Sequence, residues 1–132
     1  MKVAVDASLV VAALTDTGPV GEWAEGVVEQ GESIAPHLVL VETMNALRRR
    51  ELASRLSRLE ASTAARDLLV LAIELLPFAP FAARVWELRN NLTSYDAWYV
   101  AVAETFDVPL ATLDHRLAAS PGPRCHFLLP PA

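Results

Sequence analysis

Asp6, Glu42, Asp96 and Asp114 are acids far apart in the chain whose types and surroundings suit the holding of a divalent cation. Each has an ordinary structural explanation on its own. Asp6 and Asp114 each stand between a strand-like run and a helix-like one, the position of a helix N-cap. Asp96 follows Thr93 by three residues, as in half of a capping box. Glu42 lies inside a helical stretch, where a solvated acid is the default. Their joint placement says more. In an open parallel sheet, ligands bind beyond the carboxyl ends of the strands. Asp6 and Asp114 occupy two such ends, and Asp96 opens the helix that feeds the strand before Asp114. Glu42 is near the start of the helix after a strand at 33–35. Carboxylates gathered in one crevice repel and raise one another's pKa. A divalent cation resolves that conflict, and an all-oxygen acidic set suits Mg²⁺ or Mn²⁺. Asn45, three residues after Glu42, shares its helix face and can hydrogen-bond within the cluster; an exposed polar residue is the alternative.

The elements that must position these acids alternate along the chain. Lys2 to Val5 reads as a buried strand, and Ser8 to Leu14 as helical. Val20 to Gln30 carries Trp23, Val27 and Val28 at helical spacing, with Pro19 at its first turn and Gly31 at its end. Ser33 to Ala35 is a brief strand. His37 to Leu52 predicts a helix with Leu40, Met44 and Leu47 on one face. Glu60 to Ala72 predicts another, apolar on Ala64, Leu68 and Leu71. Strand Ile73–Leu76, helix Pro80–Asn90 and a Thr93-capped helix to Phe106 with Trp98, Val102 and Phe106 along one side follow. Strand Pro109–Thr112, a short helix from Asp114 to Ala119 and strand Cys125–Leu129 complete the series. The alternation predicts a three-layer α/β/α architecture around a mainly parallel sheet of about four to five strands. With no repeat, low-complexity tract or linker, residues 1–132 read as a single domain.

Composition bounds the function. The chain has 132 residues, enough for one sizeable core, and 53% of them are hydrophobic, so some apolar surface is expected to meet a partner. No apolar run is long enough to cross a bilayer, and Asp6 comes too early for a signal peptide. The one cysteine, Cys125, reads as a small buried apolar residue and points to a reducing cytoplasm. The formal charge of −5 speaks against nonspecific nucleic-acid binding. Lys2 is the only lysine, so the positive charge is nearly all arginine, the better partner for phosphate forks. His37, His115 and His126 show no ligand spacing, and neither a Gly-rich phosphate loop nor a Gly-x-Ser-x-Gly elbow is present. The three tryptophans fall at helical spacings that suit core or interface packing better than base stacking.

With these residues in hand, the sequence resembles the PIN-domain family, and within it the VapC toxins. Val3-Ala4-Val5-Asp6-Ala7-Ser8 is similar to the family's opening strand and first acid, and the segment 35–47 around Glu42 to its second-acid helix. Ser94-Tyr95-Asp96-Ala97-Trp98-Tyr99 is similar to the third-acid segment, and Leu110-Ala111-Thr112-Leu113-Asp114 to the fourth. The match spans nearly the whole chain in the family's order. The resemblance implies a parallel sheet flanked by helices and a Mg²⁺- or Mn²⁺-dependent endoribonuclease. It further implies the toxin role in a prokaryotic toxin–antitoxin pair, with a VapB-like antitoxin as inhibitor and a toxin homodimer as the usual assembly. The family's catalytic acids carry over to Asp6, Glu42, Asp96 and Asp114, with Asp6, Asp96 and Asp114 on the metal. Ser8 and Thr112 match the small hydroxyl positions beside the first and last acids.

That implied activity is hydrolysis of an RNA phosphodiester by metal-activated water, leaving 5′-phosphate and 3′-hydroxyl ends. Arg48, Arg49 and Arg50, with Arg55 and Arg58, can supply a basic border for RNA phosphates; a solvated face with ion pairs, for example to Glu51, is the alternative. Two other readings compete. A response-regulator receiver also gathers acids at strand ends, but it needs a lysine near its phosphoryl group, and Lys2 is at the wrong end of its strand. A catalytically inactive PIN-like RNA- or protein-binding module is the other, although such modules often lack acids that this chain retains.

Overall fold

Val3–Val5 is wholly buried and forms β1, the middle strand of the sheet, as its unbroken apolar run requires of a strand covered on both faces. The computed structural model describes residues 1–132. After β1 come α1 (Ala7–Thr15), α2 (Pro19–Glu29), β2 (Ser33–Pro36), α3 (Leu38–Leu52), α4 (Arg58–Leu68) and β3 (Ile73–Leu76). A 3₁₀ turn (Ala79–Phe81), α5 (Ala82–Glu87), α6 (Ser94–Thr105), β4 (Leu110–Ala111), α7 (His115–Ala118) and β5 (Phe127–Leu128) complete the chain. The strand order is β3-β2-β1-β4-β5, and every neighbouring pair is parallel. The sheet is thus fully parallel and five-stranded.

The chain builds outward from β1 to β2 and β3, then returns to add β4 and β5 on the other side. Helices α1 to α4 pack on one another, whereas α6 packs on β1, β2 and β4 and against α5. Right-handed crossovers on the two sides of β1 place these groups on opposite faces. The direction of growth reverses between β1 and β4, and a crevice opens at the carboxyl ends of those two strands.

Local chemistry sets the boundaries. Pro19 opens α2, and Gly31, at φ +89, ends the turn after it. Gly21 lets α2 start against the end of α1, because a Cβ there would sit 1.8 Å from the Asp16 carbonyl oxygen. Ser57 and Glu60 form a reciprocal capping box that fixes the start of α4. At the far edge, Glu104 of α6 accepts from Arg84 of α5 at 2.7 Å and from the Arg124 N–H at 2.6 Å.

Two expected faces differ. In α3 the buried residues are Val39, Thr43 and Leu47, while Met44 is exposed. Leu38-Val39-Leu40-Val41 is apolar all round the first turn, so periodicity there does not select a face; the layer beneath does. In α6 the buried set is Ala97 and the unbroken run Tyr99–Ala103, rather than one stripe through Trp98 and Phe106. A helix against the centre of a sheet is enclosed on most sides, which erases an amphipathic pattern. Trp23 and Trp98 pack against the core, but Trp86 is exposed, with the Arg89 guanidinium 4.5 Å from its ring centre. Cys125 is half-buried, and burial pushes its thiol up to about 11.

Candidate active site

The site starts from the register of two strands. Val5 of β1 pairs with Ala111 of β4, so the next residues, Asp6 and Thr112, emerge side by side at the sheet edge. Asp6 is buried and caps α1, its Oδ1 accepting from the Leu9 N–H at 3.1 Å and the Ser8 hydroxyl at 2.6 Å. Its Oδ2 accepts from the Thr112 hydroxyl. The same two hydroxyls accept from the next turn: Ser8 Oγ from the Leu113 N–H at 3.0 Å, and Thr112 Oγ1 from the Asp114 N–H at 2.9 Å. Ser8 and Thr112 therefore tie the first acid to the loop that carries the last. Burial pushes the Asp6 carboxyl above its ordinary range. The Ser8 and Thr112 hydroxyls and the Leu9 N–H pull it partly back, and the Asp114 charge pushes it up again.

Asp114 caps α7 through Oδ1, which accepts from the Arg116 and Leu117 N–H groups at 3.0 and 3.1 Å. Asp96 stands in the first turn of α6, and its N–H donates to Thr93 Oγ1 at 3.2 Å. Its carboxylate does not reach back to the Thr93 N–H as Glu60 does to the Ser57 N–H. Burial raises the Asp96 carboxyl, the charges of Asp114 and Glu42 raise it further, and the Thr93 side chain pulls it partly back. Glu42, one turn into α3, accepts at Oε1 from the Tyr99 hydroxyl at 2.5 Å. Burial, then the bond to Glu42, hold that phenol protonated far above its usual range.

All four acids line one cavity of about 450 Å³, with Ser8, Tyr99, Arg49 and Arg50 also in its wall. None of the four takes part in a salt bridge. No three acid, histidine or cysteine side chains converge tightly enough to enclose a metal ion by themselves. The donor set is still that of a hard cation: carboxylate oxygens, mutually repelling, partly buried, with no paired base. Mg²⁺ in particular keeps several waters and needs only one or two direct carboxylates, so it does not require three of these acids to converge.

The expected acids, Ser8 and Thr112 thus meet at one sheet edge. Asn45 does not: it is exposed, its side chain makes no hydrogen bond, and Ala46 takes the cavity wall below Glu42. The rotation of α3 over its buried Val39–Thr43–Leu47 face decides this. Arg49 and Arg50 line the cavity, whereas Arg48 does not. The three histidines are exposed and stand outside it. Lys2 lies at the other end of the sheet, in a hollow with Gly31, Ser33 and Ile73. Tyr99 is a member of the site that sequence reasoning does not single out. Its one local signal is the three-residue spacing from Asp96, which puts both on one side of α6.

Comparison with known proteins agrees with this fold. The family model described as PIN domain matches residues 3–122. Ribonuclease VapC1 of Mycobacterium tuberculosis is 42% identical over 126 residues, 95% of this chain and 95% of that one. A crystal structure of a Pyrobaculum aerophilum protein shares the fold at TM-score 0.70 and 24% identity, covering 96% of this chain and 83% of the other. So does the VapBC2 structure from Rickettsia felis, bound to a DNA fragment from their promoter, at TM-score 0.68 and 15% identity over 98% of each chain.

Proposed function

The chain belongs to the PIN-domain family, and on that premise we propose that residues 1–132 form one PIN domain acting as a metal-dependent endoribonuclease, the toxin of a VapBC-type toxin–antitoxin pair. The observation that carries this reading is the single cavity at the β1/β4 switch point, into which four separate segments deliver Asp6, Glu42, Asp96 and Asp114. The relative with 42% identity is named a ribonuclease and aligns over almost the full length.

Asp6 and Asp96, with Asp114, would hold Mg²⁺ or Mn²⁺, partly through the ion's own waters. Such an ion, when bound, lowers the pKa of water and offsets charge developing on the phosphate. The chain supplies the rest. Ser8, Thr112 and the Leu9 N–H immobilise Asp6, and the start of α7 immobilises Asp114 through one oxygen, leaving Oδ2 without a hydrogen bond. Glu42 orients the attacking water as an acceptor. Fixed carboxylates of this kind contribute to rate by needing no reorganisation as charge develops. Water attack leaves 5′-phosphate and 3′-hydroxyl ends.

Arg49 and Arg50 answer the objection raised by the acidic net charge. They line the acid cavity and also an adjoining hollow shared with Ala46, Ala53 and Arg55. None of these arginines is in a salt bridge, so their forks are available to RNA phosphates beside the cut. A VapB-like antitoxin and a second toxin copy are the expected protein partners. Exposed Val41, Leu59 and Val70 fit apolar surface that partners cover. No helix is long and apolar enough to cross a membrane. The cytoplasm, where RNA is made and used, is the expected working place.

The test is cleavage of single-stranded RNA by antitoxin-free protein. Cutting is expected with Mg²⁺ or Mn²⁺ and not with EDTA, and Asp6→Asn is expected to abolish both cutting and toxicity in cells. Metal-replete protein that cuts no RNA, with toxicity unaltered by Asp6→Asn, would leave the inactive binding module as the better reading. Ends carrying 2′,3′-cyclic phosphate would reject water as the nucleophile.

A further inference from the structure

We propose that Tyr99 is a positioning residue for the reaction, its hydroxyl pinning Glu42 so that one carboxylate oxygen is committed and the other is left without a hydrogen bond. The proposal rests on the reading of this site as a nuclease centre.

Glu42 is the one acid of the four that no helix start holds. Asp6 and Asp114 are short side chains fixed by helix N–H groups, and Asp96 opens a helix whose first turn Thr93 caps. Glu42 instead sits one turn inside α3, is only part-buried, and carries a longer side chain with three torsions. Its carboxylate makes one hydrogen bond with the protein, the 2.5 Å bond from Tyr99. Releasing that bond frees rotamers that the site otherwise excludes.

Tyr99 is built to hold still. It is 1% exposed and among the largest fully buried side chains, on a helix packed against β1, β2 and β4. The sheet that sets Asp6 therefore also sets the Tyr99 hydroxyl. A buried hydroxyl without an acceptor is costly, so Tyr99 needs Glu42 as much as Glu42 needs Tyr99. The bond spans 57 positions of sequence and joins α3 to α6, the two helical layers, over the edge of the sheet. It fixes where Glu42 stands relative to Asp96, which lies one turn before Tyr99 on α6.

Tyr99→Phe removes the hydroxyl and keeps the ring. Wild type, Tyr99→Phe, Glu42→Gln and the double variant are compared on a short single-stranded RNA with Mn²⁺. Tyr99→Phe is expected to lower kcat about 10- to 100-fold, the range for a misplaced catalytic group, with KM unchanged within about two-fold. In the Glu42→Gln background the same substitution should change kcat by less than about two-fold, because both act through one carboxylate. A purely structural role predicts instead that the two effects multiply and that KM and melting temperature shift with kcat. A crystal structure of Tyr99→Phe should show Glu42 displaced or in several rotamers. Tyr99→Phe with wild-type kcat, or multiplying effects, overturns the proposal. If wild type itself cuts no RNA, the nuclease reading fails, and the crystal structure then decides for Tyr99: an unmoved Glu42 carboxylate overturns the positioning role.

Discussion

Thr112 and Asp6 stand 106 positions apart, yet the Thr112 hydroxyl donates directly to Asp6 Oδ2 because Val5 and Ala111, the residues just before them, are register partners. The bond holds down a carboxyl that burial pushes up.

Thr112→Val keeps the shape and removes the donor. The Asp6 carboxyl should then rise further, and the acid limb of kcat/KM against pH should move to higher pH. The folded state should also lose about 1–2 kcal/mol, since the Asp114 N–H loses its acceptor as well. Denaturant melts and a pH–rate profile check both; an acid limb left in place would remove Thr112 from any role in tuning Asp6.

Asp6 and Asp96 both have raised carboxyl pKa values, from burial first and then from neighbouring acids. Between the ordinary and raised values, the folded chain keeps protons that the unfolded chain has released. The contribution of these two acids to the stability of the metal-free protein should therefore fall as pH rises through that interval. In EDTA, the melting temperature of the wild type relative to Asp6→Asn should drop as pH climbs above the ordinary aspartate range. Saturating Mn²⁺ should restore the loss at neutral pH by binding only the folded state. A melting temperature that rises over this interval, relative to Asp6→Asn, contradicts the sign.

Arg49→Ala and Arg50→Ala should each raise KM for RNA, by about 3- to 10-fold at physiological salt, and leave kcat nearly unchanged. The slope of binding affinity against salt should fall by about one for each arginine that no longer neutralises a phosphate. Arg48→Ala, outside the cavity wall, serves as the comparison. Equal effects from all three would mean that overall charge, not the wall of the site, governs RNA binding.

Much of the fold is legible in the sequence because its determinants are local. Val3–Val5 is apolar enough to be only a central strand, Pro19 and Gly31 punctuate α2, and Thr93 caps α6. The four acids are legible for a related reason. Three of them stand where a strand gives way to a helix or where a helix begins, and those places face the sheet edge whatever the packing. The places of Asn45 and Arg48 outside the cavity are not legible, because they depend on the rotation of α3. Its first turn is apolar on every side, and only the layer beneath selects Val39, Thr43 and Leu47 as the buried face.

The sequence by itself determined which residues can carry the charge and which end of the sheet they occupy, since strand ends and helix caps follow from neighbours a few positions away. The tertiary structure decided how they meet. The pairing of Val5 with Ala111 brings Thr112 to Asp6, and the seating of α6 across β1 brings Tyr99 to Glu42. These meetings depend on register and on the angle at which layers pack. Both are set by the whole core at once, and no short stretch of chain encodes them.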